Sequence, residues 1–499
     1  MYKFANSEFK QGIMNNENKT NWLERPIHPA FPAVTNEILI FAGILLFAII
    51  TRFYDLESRV MSHDESLHTY FSWLLYRGQG YQHTPMMHGP LQFHMLALIY
   101  FIFGVSDFTA RIPAVLFSIA TVWMVWSWRD YLGKWGALAA ALMLVVSPYM
   151  LYYGRYVRNE SFTGVAGLLL LYGMLRYLEK GEKRYLYFVT AGALLHFLTK
   201  ETAFIYAAQA LLFSGFYFIA RVTRRPWEHN PGLYRAFVIA LAAAALLGSL
   251  GVGLGFVNRH AQTLTGAETA APANPTGESN PLALPSEGIQ PSVLFLGLGG
   301  VALLAAVVVL FWGDGGSNLL RERSFDLVVL LSTFVLPMLS AFLIKIFEKP
   351  LNLTIPTEAA EVNALDARAL GIIGVFVILL FVVSIAIGMF WNRDWWKYAA
   401  TFWGPYTIFF TTVFTNAAGF FTGVIGSLGY WLVQQGVERG SQPEYYYVLV
   451  QIPMYEFLPA IRLIVAIVMG LRKLLKRDRV VAEWESPDVS ETASEPAPS

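Results

Sequence analysis

The chain has 499 residues, 55% of them apolar and 14% charged, with a formal net charge of +1. Mean hydropathy is +0.46, and apolar runs of about twenty residues, enough to cross a bilayer, recur along most of its length. That excludes a soluble enzyme. The near-neutral charge speaks against a nucleic-acid partner, and the absence of cysteine excludes disulfides, thiolate nucleophiles and Cys-ligated metals.

Residues 1–35 are polar and mixed in charge, and read as a cytosolic tail. Hydropathy then predicts spans near 36–52, 111–128, 135–152, 161–178, 185–199, 202–220, 235–257, 293–312, 326–345, 369–391, 399–421 and 455–471. A large external segment, 53–110, separates the first two. Inside it lies a short apolar stretch, Pro90 to Gly104, interrupted by Gln92 and His94. Treated as non-crossing, it leaves about twice as many Lys and Arg on the cytosolic side as on the external side. Treated as crossing, it inverts that bias. The expectation is therefore an all-α polytopic membrane protein of about twelve transmembrane helices with both termini cytosolic. Residues 90–104 would form an interfacial or re-entrant external helix.

Residues 36–220 form a first module and 221–479 add further transmembrane helices. The second part carries an external linker, 258–292, rich in Ala, Pro, Gly, Ser and Thr, and a Tyr-rich external loop, 422–454. The acidic, Pro- and Ser-rich tail 480–499 reads as disordered. No internal repeat of the transporter kind is visible.

Topology gathers the polar residues on one side. Ser62-His63-Asp64-Glu65-Ser66 follows the first span. Adjacent carboxylates at a membrane surface suit a base acting on a hydroxyl, with a neighbour orienting the acceptor. They equally suit an N-cap that opens a helix over 66–76. In Tyr153-Gly154-Arg155-Tyr156-Val157-Arg158-Asn159-Glu160, Arg155 and Arg158 could hold a phosphate by forked hydrogen bonds. Glu160 could pair with one of them or touch an acceptor. The alternative is anchoring at headgroup depth.

Thr199-Lys200-Glu201-Thr202 is a tight external turn; facing a cleft, Lys200 would neutralise a leaving phosphate. Five histidines fall between His63 and His94, and His260 lies on the same side. Their spacing matches no known ligand set, so His88 and His260 are only weak metal candidates. Trp431, Tyr445 and Tyr446 offer aromatic faces to a sugar ring, or form an interfacial belt. The spans are nearly free of charge apart from Arg176, Glu456 and Arg462, which argues against ion-coupled transport.

Several of these motifs together resemble the GT-C membrane glycosyltransferases, of the protein O-mannosyltransferase and aminoarabinose-transferase type. They are the Asp64-Glu65 pair after the first span, His88-Gly89-Pro90-Leu91 opening an external helix, and Arg111-Ile112-Pro113 starting the second span. Ser147-Pro148 with Tyr153-Gly154-Arg155, and then Thr199-Lys200-Glu201, are similar to that group's second and third external loops. In finer detail HDESLHTYFSWLL, HGPLQFH, YGRYVRNE, TKET and GYWLVQQGVERGSQPEYYY resemble an uncharacterised prokaryotic family named for association with archaeal flippase activity.

The resemblance implies a GT-C fold and a polyprenyl-phosphate-linked sugar as donor, with no nucleotide cofactor. The acceptor would be a glycan, lipid or protein on the extracytoplasmic face of the cell membrane. It also implies that Asp64 is the base and Glu65 its partner, with Glu160 at an acidic position of the second loop. Lys200 would sit near the lipid phosphate, and His88 would occupy a position that binds a divalent metal in some relatives. Glu201 joins the substrate-binding set. Two other readings remain open: a flippase or flippase accessory that handles lipid-linked sugars without chemistry, and an envelope scaffold.

Overall fold

The computed structural model describes residues 22–224, 227, 230–268, 291–315, 322–434 and 446–484. Among these the protein is all-helical, apart from one isolated bridge between Pro26 and Thr35. Helix α1, Asn36–Phe53, starts where the Thr35 side chain accepts from Ile38 N, a standard use of a hydroxyl at a helix start. Helices α2, His63–Tyr76, and α3, Leu91–Phe103, fill the segment before α4, Asp107–Met124. Then come α5, Arg129–Val146, the short α6, Pro148–Tyr153, and α7, Glu160–Lys180. Helices α8, Arg184–Phe197, and α9, Ala203–Thr223, complete the first module.

Among the described residues, eight helical stretches are long and apolar enough to cross a membrane. One of them, Asp107–Val146, has 40 residues. At 1.5 Å per residue it would measure about 60 Å, twice a hydrocarbon core. It is broken at Gly133, where φ is 70° and ψ is 165°, a conformation that strongly favours glycine. Contacts along α1 show the reversal. Trp126, past the end of α4, packs at a tilt against Phe41 near the start of α1. Lys134, near the start of α5, reaches Glu24 and Glu37. At the other end Arg52 donates to the carbonyls of Leu144 and Val145, near the end of α5, and to Ser118 in α4. Helices α4 and α5 are therefore an antiparallel hairpin, and the stretch supplies two crossings.

One face of the module thus collects the end of α1, the starts of α4 and α7, and the ends of α5 and α8. Helix α3 begins and ends on that face. Gly89 N and Leu91 N donate to the carbonyls of Thr199 and Leu198 beyond α8, at 3.0 Å each. Only a few residues after α3, Arg111 reaches Glu65. With 13 residues, about 20 Å, α3 is also too short to span. It is the non-crossing helix that the charge bias called for.

The remaining helices are α10, Pro231–Glu268, α11, Pro291–Leu310, α12, Arg323–Val335, α13, Ser340–Leu351, α14, Ala367–Trp391, α15, Trp395–Phe410, α16, Ser427–Gln434, and α17, Phe457–Trp484. The main apolar core joins α7, α8 and α9 to α12–α15 around Phe162, Phe334 and Phe402, none of them exposed.

The structure departs from the sequence reading in six places. The helix expected over 185–199 has 14 residues and α15 has 16, both shorter than a standard span. Helix α15 stops at Phe410, where Thr411 and Thr415 turn their hydroxyls onto local backbone and Thr412 donates to the distant Tyr81 carbonyl. The expected linker 258–292 begins as helix, since α10 continues to Glu268; 269–290 lie outside the described residues. The described parts of the expected loop 422–454 are helical. The last expected span is a bent pair, Leu449–Tyr455 and Ala460–Arg472, at 107°, and α17 runs past 479 into the segment expected to be disordered; 485–499 lie outside the described residues.

Candidate functional site

The site is built on the first turn of α2. Ser62 is its N-cap: its hydroxyl accepts from Glu65 N at 3.4 Å while the Glu65 carboxylate accepts from Ser62 N at 3.2 Å. This reciprocal capping box fixes the turn and points Asp64 and Glu65 in different directions.

Glu65 turns inward and is fully buried. Its Oε1 accepts from Arg111 Nε at 3.0 Å and from Val157 N at 3.2 Å. Its Oε2 accepts from Arg59 Nη2 at 2.9 Å and Arg111 Nη2 at 3.2 Å. Burial pushes the Glu65 carboxyl up, but the Arg111 hydrogen bonds and the Ser62 and Val157 amides outweigh it and hold it below the usual carboxylate range. Arg111, equally buried, also donates to the carbonyls of Leu56 and Arg59.

Asp64 turns outward, and its side chain is 41% exposed. Arg158 Nη1 lies 2.7 Å from its Oδ2 as an ion pair, and Arg158 Nε lies 3.6 Å from Glu160 Oε1. The same Glu160 oxygen accepts from Lys200 Nζ at 2.8 Å. A chain of alternating charge therefore runs Asp64, Arg158, Glu160, Lys200 along the face. Beside it, His88 Nδ1 meets Glu201 Oε2 at 2.6 Å. His88 has φ 70° and ψ −166°, a backbone region that costs a non-glycine residue about 1–3 kcal/mol. The docking of Gly89 on Leu198 and Thr199 imposes it. A β-carbon at Gly89 would lie 2.3 Å from the Leu198 carbonyl oxygen, so only glycine permits that approach.

Four of the sequence-selected residues, Asp64, Arg158, Glu160 and Lys200, thus come together, with His88 and Glu201 paired alongside. Arg155 does not join them. Its guanidinium caps the end of α1, donating to the carbonyls of Thr51, Tyr54 and Asp55. Trp431 sits half-buried on α16, which packs against the Pro85–Met87 turn leading to His88. Tyr446 is exposed and touches Tyr447. Tyr445 and the side chain of His260 lie outside the described residues. Among the described residues no group of three His, Asp or Glu is placed to hold a metal.

Sequence reasoning missed several buried polar atoms with no hydrogen-bond partner, among them His68 Nε2, Gln92 Oε1, both amide atoms of Asn159, and Glu160 Oε2. His68 Nδ1 donates to the Asp64 carbonyl at 2.7 Å, which leaves Nε2 as an acceptor. Buried atoms of this kind are rare unless a ligand or solvent satisfies them.

It also missed two spaces. A 620 Å³ groove lined by Thr121, Val125, Trp128, Met143, Gly164 and Leu168 runs between α4, α5 and α7, reaching Ser147, Tyr149 and Glu456. A 560 Å³ pocket walled by Tyr149, Tyr152, Tyr153, Tyr447 and Tyr455 adjoins it, sharing Tyr149 and Glu456. Glu456 is held by Ser147 Oγ at 2.5 Å and Tyr149 N at 3.1 Å, both on Oε1. The one signal for it in the sequence was a carboxylate in the last apolar helix.

The family described as dolichyl-phosphate-mannose-protein mannosyltransferase matches residues 87–247. The match opens at the turn carrying His88 and covers Arg158, Glu160, Lys200 and Glu201, while Asp64 and Glu65 precede it. No curated protein and no solved structure matches the chain. Together with the apolar helices, the match supports a membrane glycosyltransferase of the GT-C type.

Proposed function

We propose that this protein transfers a sugar from a polyprenyl-phosphate carrier to an acceptor hydroxyl, with Asp64 as general base. The observation that carries the reading is the ion chain Asp64–Arg158–Glu160–Lys200 lying beside the mouth of an apolar intramembrane groove. Gly164, in the groove wall, is one helical turn from Glu160, so a lipid tail in the groove would place its phosphate near Arg158 and Lys200.

The chemistry needs little more. The acceptor oxygen attacks the anomeric carbon, the bond from that carbon to the phosphate oxygen breaks, and the polyprenyl phosphate leaves. Asp64 takes the acceptor proton on Oδ1, the oxygen that Arg158 does not engage. Lys200, with two N–H groups beyond the one given to Glu160, and Arg158 absorb the charge developing on the phosphate. Asn159, Gln92 and His68 offer both donors and acceptors to sugar hydroxyls. Glu65 has no oxygen to spare; its part is to hold the turn that aims Asp64.

The test is a strain lacking this protein, complemented with wild type or Asp64→Asn at matched membrane levels, its envelope glycolipids, glycans and glycoproteins compared by mass spectrometry. One glycan should lose a single sugar mass in the mutant and regain it with wild type. If Asp64→Asn restores the wild-type profile, Asp64 is not the base, and handling of lipid-linked sugars without chemistry becomes the better account.

A further inference from the structure

We infer that the pocket between Arg59, Arg111 and Arg155 is a second anion site, built for the phosphate of an amphiphile and separate from the Asp64–Lys200 chain. The pocket has a volume of 430 Å³, with Leu56, Leu151 and Tyr152 completing its walls. None of Asp64, Arg158, Glu160 or Lys200 lines it. The buried Glu65 carboxylate and the 2.5 Å hydrogen bond between Ser62 and Tyr156 stand between the two places.

Charge is the first argument. Arg52 and Arg111 are both fully buried, and Arg59 and Arg155 join them around one corner where α1 ends. Glu65 pairs with Arg59 and Arg111, and Asp55 is the carboxylate that acts on Arg155. Four guanidiniums thus face two carboxylates. Burial, together with Arg111 and Arg59, pushes the Arg155 guanidinium below its ordinary value despite Asp55. A bound anion relieves that repulsion directly.

Geometry is the second. Arg111 has one Nη1 N–H beyond its four hydrogen bonds, and Arg59 Nε and Nη1 and Arg155 Nε make no hydrogen bond to any described residue. Arg59 is held in place by the faces of Tyr152 and Tyr156, 4.9 and 5.0 Å from its guanidinium carbon. Fixed guanidinium edges are suited to phosphate oxygens. Depth is the third argument. Thr51 and Arg52 end a membrane-length helix, so the pocket lies at headgroup level, and Leu56 and Leu151 give an apolar wall to the carbon chain behind the phosphate.

The experiment uses full-length protein in uncharged detergent, titrated with short-chain phosphatidic acid or short-chain phosphatidylcholine, with bound lipid counted by native mass spectrometry. One phosphatidic acid should bind saturably per chain and in preference to phosphatidylcholine. Arg59→Gln should weaken it at least tenfold, Arg59→Lys should restore most of it, and Arg158→Gln should leave it unchanged. Arg59 is half-exposed, so its variants test the site without unpairing Arg111 from Glu65; equal thermal melting confirms this. Displacement by inorganic phosphate assigns the site to the free anion, and failure to displace assigns it to the amphiphile; either upholds the phosphate chemistry. Unchanged binding in Arg59→Gln, or loss in Arg158→Gln instead, overturns the proposal.

Discussion

Asp64 and Glu65 are neighbours in sequence with nearly the same chemistry, yet the two sides of this one helical turn are opposites. On the inner side Glu65 is sealed from solvent and both oxygens are spent on Arg111, Arg59, Ser62 and Val157. On the outer side Asp64 keeps one oxygen open and has a single cation, Arg158, on the other. The capping box produces both outcomes, because locking Ser62 to Glu65 rotates Asp64 away from the core. Burial, and not residue type, separates a carboxylate that holds the fold from one able to take a proton.

The sharpest way to break that comparison is to neutralise each in turn. Asp64→Asn should lower transfer by roughly 10²- to 10⁴-fold while the thermal melt of the detergent-solubilised protein stays within a few degrees of wild type. Glu65→Gln should instead cost about 3–5 kcal/mol of stability, since it leaves Arg111 buried and unpaired. It should appear first as early melting and poor recovery from membranes. If the two variants share one phenotype, the division of labour is wrong. Lys200→Met extends the test along the outer chain. It should reduce transfer by about 10²- to 10³-fold, as loss of a charge-stabilising donor does, with little change in melting.

Two smaller effects concern the support behind the site. Gly89→Ala should cost about 1–3 kcal/mol, the usual penalty of overpacking, because its β-carbon would strike the Leu198 carbonyl. It should also loosen the His88–Glu201 pair, read as faster backbone exchange over 85–91. His83, fully buried in the loop before His88, is pushed down to about 3 by burial and by the nearby His88. Its Nδ1 is paired with Thr422 at 2.9 Å. The folded state therefore keeps His83 neutral while the unfolded chain protonates it near 6.5. Stability is full above that value and falls as pH drops from about 6.5 toward 3, by about 1.4 kcal/mol per unit from this group. His83→Gln should flatten that slope in melts recorded at pH 7 and pH 5.5.

The sequence made the helices legible wherever apolar runs were long, and it located α3 as non-crossing through the Lys and Arg bias alone. Four of its charged candidates meet in one chain because each sits at the same end of its own helix. Arg155 went elsewhere for a reason no local pattern reveals: its carbonyl acceptors lie about a hundred residues away, at the end of α1. Glu65 looked like a catalytic partner because Arg111 and Val157, 46 and 92 residues distant, are invisible from its neighbours. Distance likewise hid the arginine pocket, whose walls come from segments up to about a hundred residues apart, and the tyrosine pocket, whose walls come from segments some three hundred apart. Hydropathy also treats a threonine-rich stretch as it treats any other, so it carried α15 past Phe410.

Gly133 decides more than the shape of one hairpin. Arg129, Asp130 and Lys134 flank it between two apolar runs, so composition marks a connection there without saying how the helix turns round. A single left-handed backbone angle does, in open surroundings where a β-carbon would meet no neighbouring atom. Without that reversal, Ser147 and everything after it would emerge on the opposite side of the bilayer. Asp64 would then face one compartment while Arg158, Glu160 and Lys200 faced the other. One residue with no side chain thus sets the address of four charges, none of which it touches.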